Sequence, residues 1–386
     1  MRTGRGNHHG FLRAIMACLL FMMGLGLAAA PAKPAPPPAK SARFVIRYTT
    51  INKRRYLPLK SVAEYYKLVY RPNIKDKSVV LLNATGAKVA VFKANSRNFT
   101  LNGTAAGLSF PIVIHKDQFM LELTDFQDFI DPIMRPQSIP KRKIRTIMLD
   151  AGHGGKDTGA QAGGRNEKDI NLLMVRRIGA ILTMRGYTVL YTRTDDKFVE
   201  LKDRSKAATK HKPDLFISIH CNAIAPEQAD KISGIEVYVA NAKGVPSYGG
   251  DVIGQDRPGA KFQSTNAYWA YLMQRSLLKA TSAVDRGVKR KQLSVVAYTP
   301  VPAMLIELGF LTHKEEFKKM TTPAYQDKLA VAICDGVNQI EKALRPPNTK
   351  GPVPLKKAPT KPAAPAAKPA TPPPKPPAPP AKPKGK

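Results

Sequence analysis

Four side chains stand where apolar runs of this 386-residue chain give way to polar or glycine-rich residues: His153, Glu167, His220 and Glu307. His153 lies between glycines directly after "TIMLDA", and Glu167 sits in "GRNEKDIN" at the mouth of an amphipathic segment. His220 closes "LFISIH", and Glu307 closes "AMLIE". Two neutral imidazoles and one carboxylate make a ligand set for zinc, and three protein ligands leave a fourth position for water. Bound zinc brings that water's pKa close to neutrality and polarises a carbonyl oxygen. A further glutamate, Glu307, can take the water's proton and pass it to a leaving nitrogen. Together these groups suffice to cleave an amide without a covalent intermediate. Ordinary roles stay open for each residue at this point. A histidine at a strand end is commonly a hydrogen-bonded loop residue, and Glu167 suits a helix N-terminus, where the dipole favours an acid. Glu307 could partner a buried arginine, although a lone carboxylate after four apolar residues is costly.

Positioning these groups requires strands that end beside one another. From Arg145 onward, strands and helices alternate. Residues 146–149 read as a buried strand broken by Gly152, Gly154 and Gly155. "LLMVRRIGAILTMRG" is helical, with an apolar face at Leu173, Met174, Ile178, Ile181 and Leu182 and a stop at Gly186. A strand "YTVLYTR", a helix "VELKDRSKAATKH" and strands "DLFISIHCNA" and "GIEVYVA" follow. After them come a helix "NAYWAYLMQRSLLKATSAV", strands "LSVVAY" and "AMLIELGF", and a closing helix "AYQDKLAVAICDGVNQIEKAL". This alternation predicts an α/β fold, a twisted and largely parallel sheet with helices on both faces. Sites in such sheets form at the carboxyl ends of strands. The glycine- and proline-rich stretch between Val239 and Ala267 reads as loop.

Upstream, residues 42–134 alternate short strands with two compact helical pieces, "LPLKSVAEYYKLVY" and "LELTDFQDFIDPIM". Each runs Leu-x-Leu into an amphipathic turn, which suggests a weak internal repeat. The pattern predicts a small α+β domain. It is similar to the stalk module first named from the N-terminus of copper amine oxidases. This segment holds no cluster of ligating residues, and His115 reads as a surface residue. "RPQSIPKRKIR", Arg135 to Arg145, reads as the boundary between the two domains.

The ends have a different character. Residues 1–30 follow the basic, apolar and small-residue order of a secretory signal peptide. Residues 31–41 are a proline-rich spacer. Residues 346–386 are dominated by Pro, Ala and Lys, with nine lysines and no acid, a composition that cannot bury a core. The formal charge of the whole chain is +34, and residues 31–345 keep +22 of it. Such a balance implies an acidic partner, and a secretory signal weighs against nucleic acid. Cys18 falls in the signal; Cys221 and Cys334 belong to no CxxC spacing and read as packing residues.

The blocks "LDAGHGGKDTGA", "NEKDINL", "FISIHCNA", "SGIEVYV", "RGVKRKQLSVVA" and "PAMLIELGFLTH" occur in this order over about residues 145–344. Together they resemble the zinc-dependent N-acetylmuramoyl-L-alanine amidases of bacterial cell walls. The resemblance implies one zinc held by His153, Glu167 and His220, with Glu307 catalytic. It also implies hydrolysis of the amide between N-acetylmuramic acid and L-alanine of peptidoglycan, in wall remodelling or cell separation. The expected setting is the periplasm or cell wall, with the chain secreted across the inner membrane and monomeric. Expected partners are peptidoglycan and, through the basic tail, anionic wall polymers. Two alternatives share these residues: a zinc peptidase cutting within the stem peptide, and a non-catalytic wall-binding protein. Cys221 stands where the family usually has a small residue; alternation along a strand turns it away from His220.

Overall fold

A computed structural model describes residues 46–250 and 254–344. The expected signal peptide (1–30), spacer (31–41) and basic tail (346–386) lie outside the described residues.

The first segment begins with a hairpin of β1 (Thr49–Ile51) and β2 (Arg54–Pro58), and β2 runs straight into α1 (Leu59–Tyr65). An antiparallel meander follows: β3 (Val69–Asn73), β4 (Ser78–Leu82), β5 (Lys88–Lys93), β6 (Asn98–Leu101) and β7 (Thr104–Gly107). A second hairpin, β8 (Val113–His115) with β9 (Gln118–Glu122), runs into α2 (Leu123–Asp125). A π turn over Phe126–Ile130 leads on into α3 (Asp131–Met134). The two Leu-x-Leu units are register partners. β2 pairs antiparallel with β9, and Leu57 lies opposite Leu121. Each strand–helix unit buries its leucines against the other, which accounts for the repeat in the sequence.

The second segment contains β10 (Thr146–Ala151), a small ladder of β11 (Gln161–Ala162) with β12 (Arg165–Asn166), then α4 (Glu167–Met184) and β13 (Thr188–Tyr191). It continues with α5 (Leu201–His211), β14 (Leu215–Asn222), β15 (Ile235–Val239), α6 (Gln263–Thr281) and β16 (Asp285–Arg290). The last elements are α7 (Ser294–Ala297), β17 (Ala303–Phe310), α8 (Lys314–Met320) and α9 (Pro323–Leu344). Within this segment's share of the large sheet the strands are parallel except for the β15–β17 pair, and the separate β11–β12 ladder is antiparallel. Residues from α4, α6 and α9, among them Met174, Trp269 and Ile333, join the main core. Ala208 of α5 and Val295 and Val296 of α7 pack against Met148, Phe216 and Leu305 in a second cluster. The sheet is therefore covered on both sides, as an α/β alternation requires. No helix among the described residues is long and apolar enough to cross a membrane.

Three features differ from the sequence expectation. "LSVVAY" holds the short helix α7 rather than a strand, because an apolar run of this length suits either element. The strand neighbouring β15 is instead β16, whose charged residues hide its period. The two segments also share one sheet, of order β13-β10-β14-β17-β15-β16-β7-β6-β5-β4-β3. Val288 of β16 pairs in parallel with Ala106 of β7, and one continuous hydrophobic core contains residues from Leu57 to Ile340. The connecting stretch is pinned down by Ile139 and Ile144, both buried.

Candidate functional site

His153, Glu167 and His220 converge at the carboxyl ends of β10 and β14, with one possible ligand atom from each lying within 4.8 Å of the others. The path to this point starts in the turn after β10. The Gly152 N–H extends the ladder to the Ile219 carbonyl at 3.0 Å. A side chain at 152 would put its Cβ 2.3 Å from the His220 ring, so the glycine makes room for the second imidazole. His153 itself adopts φ of 60°, a left-handed conformation uncommon outside glycine. Two buried arginines grip the carbonyls of this turn. Arg193 donates to the Ala151 and Gly152 carbonyls at 2.9 Å each. Arg204 donates to Ala151 at 2.6 Å, to His153 at 2.8 Å and to the Asp150 carboxylate at 2.7 Å. Strain of about 1–3 kcal/mol at such a residue persists only where the surroundings fix it, and these bonds do so.

The side chains are oriented as firmly. His153 Nδ1 meets Asp157 Oδ2 at 2.9 Å, which turns Nε2 toward Glu167 Oε2 at 3.1 Å. Glu167, the first residue of α4, also receives the Cys221 and Ala160 N–H groups at 3.0 Å and the Asn171 amide at 3.2 Å. His220 Nδ1 lies 2.9 Å from Glu167 Oε1. Gly159 completes the cradle: at φ of 64°, an added Cβ would come within 2.6 Å of Glu167 Oε2.

Glu307 faces the cluster from β17, directly opposite His220 in the register. Its Oε2 is buried without a hydrogen-bond partner among the described residues. On its other side, Glu236 of β15 is its antiparallel partner. Glu236 is held by Lys289, by Arg286 Nε at 3.2 Å, by Asn222 at 2.6 Å and by the Tyr238 hydroxyl at 2.8 Å.

The electrostatics suit a cation. Burial disfavours charge on His153, yet the Glu167 and Asp157 carboxylates reverse this and push its pKa up to about 9. For His220, burial pulls down and the Glu167 and Glu307 carboxylates win, leaving it raised. Burial also opposes the charge of Glu167, but the two imidazoles hold the carboxyl well below its usual range. Glu307 is pushed up to about 7, first by burial; His220 opposes and the Glu167 and Glu236 charges add.

All four residues singled out in the sequence thus stand together. Asp157 and Glu236 were not singled out. Asp157 lies in the same glycine-rich block as His153, four residues on. Glu236 sits in the apolar strand "GIEVYV", the same signal of a costly buried carboxylate that marked Glu307. Cys221 and Cys334 are buried free thiols, with Sγ 3.6 Å from the Asn171 side-chain oxygen and the Ile178 carbonyl respectively.

The N-acetylmuramoyl-L-alanine amidase family model matches residues 147–339, half of the chain. An uncharacterised Bacillus subtilis protein, YqiI, is 34% identical over 194 residues, which cover 50% of this chain and 84% of that one. The N-acetylmuramoyl-L-alanine amidase LytC of the same organism is 27% identical over 267 residues, 68% of this chain but only 45% of LytC. The chain thus spans about half of LytC. Among solved structures, an N-acetylmuramoyl-L-alanine amidase from Clostridium difficile 630 is 30% identical, with a TM-score of 0.43, covering 51% of this chain and 97% of that one.

Proposed function

Because the chain belongs to the N-acetylmuramoyl-L-alanine amidase family, we propose that it hydrolyses the bond between the lactyl group of N-acetylmuramic acid and L-alanine in peptidoglycan, with one zinc ion held by His153, Glu167 and His220. The observation that carries this reading is the convergence of three possible ligand atoms within 4.8 Å, beside a Glu307 carboxylate oxygen that has no hydrogen-bond partner among the described residues. Ligand atoms about 2.0–2.1 Å from a shared tetrahedral ion would lie about 3.3 Å apart, and His153 Nε2 and Glu167 Oε2 are 3.1 Å apart. The donor set therefore fits zinc. When bound, the metal polarises the scissile carbonyl and acidifies water.

The chain's own residues do the rest. Asp157 fixes the His153 ring so that Nε2 faces the ligand cluster. Glu307, raised toward neutrality, accepts a proton from the attacking water and releases it to the departing L-alanine nitrogen. Glu236, held by Lys289 and Arg286, sits one strand away, and its charge helps keep the Glu307 carboxyl raised. Export to the periplasm or wall and attraction of the tail lysines to anionic wall polymers complete the reading, and both rest on the sequence.

The test is mass spectrometry of purified muropeptides digested by the full chain. Intact stem peptides freed from glycan support the amidase, whereas fragments cut within the stem select a peptidase. A chelator should abolish turnover and zinc restore it. His153→Ala or His220→Ala with undiminished metal content would overturn the ligand assignment.

A further inference from the structure

Past Glu236, the sheet continues through β16 into the strands of the first segment, and a groove of about 430 Å³ opens over that junction. Lys93, Asn98, Thr100, Tyr248, Arg286 and Lys289 line it. Tyr248 forms a wall between the segments. An added Cβ at Gly107 would come within 2.6 Å of its ring, its hydroxyl lies 2.6 Å from Asn98 Oδ1, and the Lys289 ammonium stands 4.9 Å from the ring centroid.

The uncommitted charge in this groove is positive. Its acid, Asp285, already accepts the Ala105 N–H at 2.7 Å, the Gly287 N–H at 3.0 Å and the Gln274 amide at 2.8 Å. Arg286 commits Nε to Glu236 and keeps 29% of its side chain exposed. Lys93 is exposed and has no ion-pair partner among the described residues.

We propose that this groove is the subsite for the stem peptide, taking its free carboxylates; the proposal rests on the amidase reading above. Continuity with the site supports it, because Arg286 and Lys289 line the groove and also hold Glu236, the register neighbour of Glu307. Reach supports it too. β16 lies two strand steps from β17, and β5, which ends at Lys93, lies five, which is about 10 and 24 Å at roughly 4.8 Å per step. An extended peptide of five residues spans about 17 Å, enough to pass Arg286 and to leave about 7 Å to β5, roughly the reach of a lysine side chain. Chemistry selects the peptide limb over the glycan. The muramic carboxyl is consumed in the scissile amide, whereas the stem carries free acids beyond it.

The experiment compares kcat and KM of the full chain on two muramoyl substrates, one with a single L-alanine and one with a full stem. Lys93→Glu and Thr100→Asp should each cut the preference for the long stem about fivefold through KM, the size expected of a partly solvated charge contact. Lys75→Glu, in the outer β3–β4 turn, makes the same charge change outside the groove and should keep the wild-type preference. The idea is overturned if neither groove variant changes the preference, or if amidating the stem carboxylates leaves it intact. Should the wild type cleave neither substrate, the amidase reading fails on its own. Calorimetric titration of a free stem tripeptide then decides the groove. Binding weakened about fivefold by Lys93→Glu supports it; equal or undetectable binding overturns it.

Discussion

Replacing Asp125 with asparagine should cost more than any change on the surface of the first segment. Asp125, from the end of α2, forms an ion pair with Arg290 of β16, and the two side chains are 0% and 1% exposed. Arg290 lies 4.9 Å over the Phe129 ring, and its Nε and Nη1 find no hydrogen bond among the described residues. Burial already pulls its pKa down to about 10. Asp125 also accepts the Ser109 and Phe110 N–H groups at 2.9 and 3.0 Å. Removing one partner strands the other charge in a dry core, a loss of about 3–5 kcal/mol. Arg290→Met should cost less, because Asp125 keeps its two amides. In the double variant neither charge of the pair remains, and stability should return to within about 2 kcal/mol of wild type. Urea unfolding followed by tryptophan fluorescence measures all three. Trp269, the only tryptophan, is fully buried on α6, which packs against both β15 and the π turn of the first segment. A loss below about 1 kcal/mol for Asp125→Asn, or strictly additive single effects, would refute the reasoning.

Glu307→Gln should retain zinc and fold yet lose turnover by roughly a hundred- to ten-thousand-fold; near-normal kcat in metal-replete protein would move proton transfer to another group. Asp128 is pushed up to about 6, first by burial and then by Glu122. Its folded form holds a proton that the unfolded chain releases, so stability falls as pH rises from about 4 to 6 and stays lower above. Asp128→Asn should therefore stabilise by about 1–2 kcal/mol at pH 7.5, discounted for partial exposure, and by nothing at pH 3; equal urea midpoint shifts at both pH values would contradict this. Deleting residues 346–386 should weaken co-sedimentation with sacculi at low salt but not at high salt, since charge contacts of this kind are screened; unchanged sedimentation at low salt would remove the tail from wall binding.

The four clustered residues could be read from the sequence because local chemistry marks them. A histidine among glycines after "TIMLD", and carboxylates closing or interrupting apolar strands, are visible without any tertiary knowledge. The grip of Arg193 and Arg204 on the His153 turn could not be read this way. Nothing local distinguishes these arginines from the many that coat a basic protein. The glycines show in the sequence that the strand breaks, but not how the work is divided: His153, Gly154 and Gly155 all take positive φ, while Gly152 admits the His220 ring. The shared sheet was hidden for a different reason. Pairing of β7 with β16 depends on a close approach at Gly287, where an added Cβ would lie 2.5 Å from the Ala105 carbonyl oxygen. Such a fit between distant segments leaves no periodic trace in either one.

That same pairing fixes an order of events during biosynthesis. Ala105, whose N–H is received by the Asp285 carboxylate, precedes it by 180 residues. At about 5–20 residues per second, the ribosome needs roughly 10–35 seconds to supply the missing neighbour. Until β16 arrives, β7 has a strand partner on one side only and presents an open hydrogen-bonding edge on the other. Arrival of β16 closes that edge, and the first segment is left, among the described residues, with the short strand β3 as its one open edge in the large sheet.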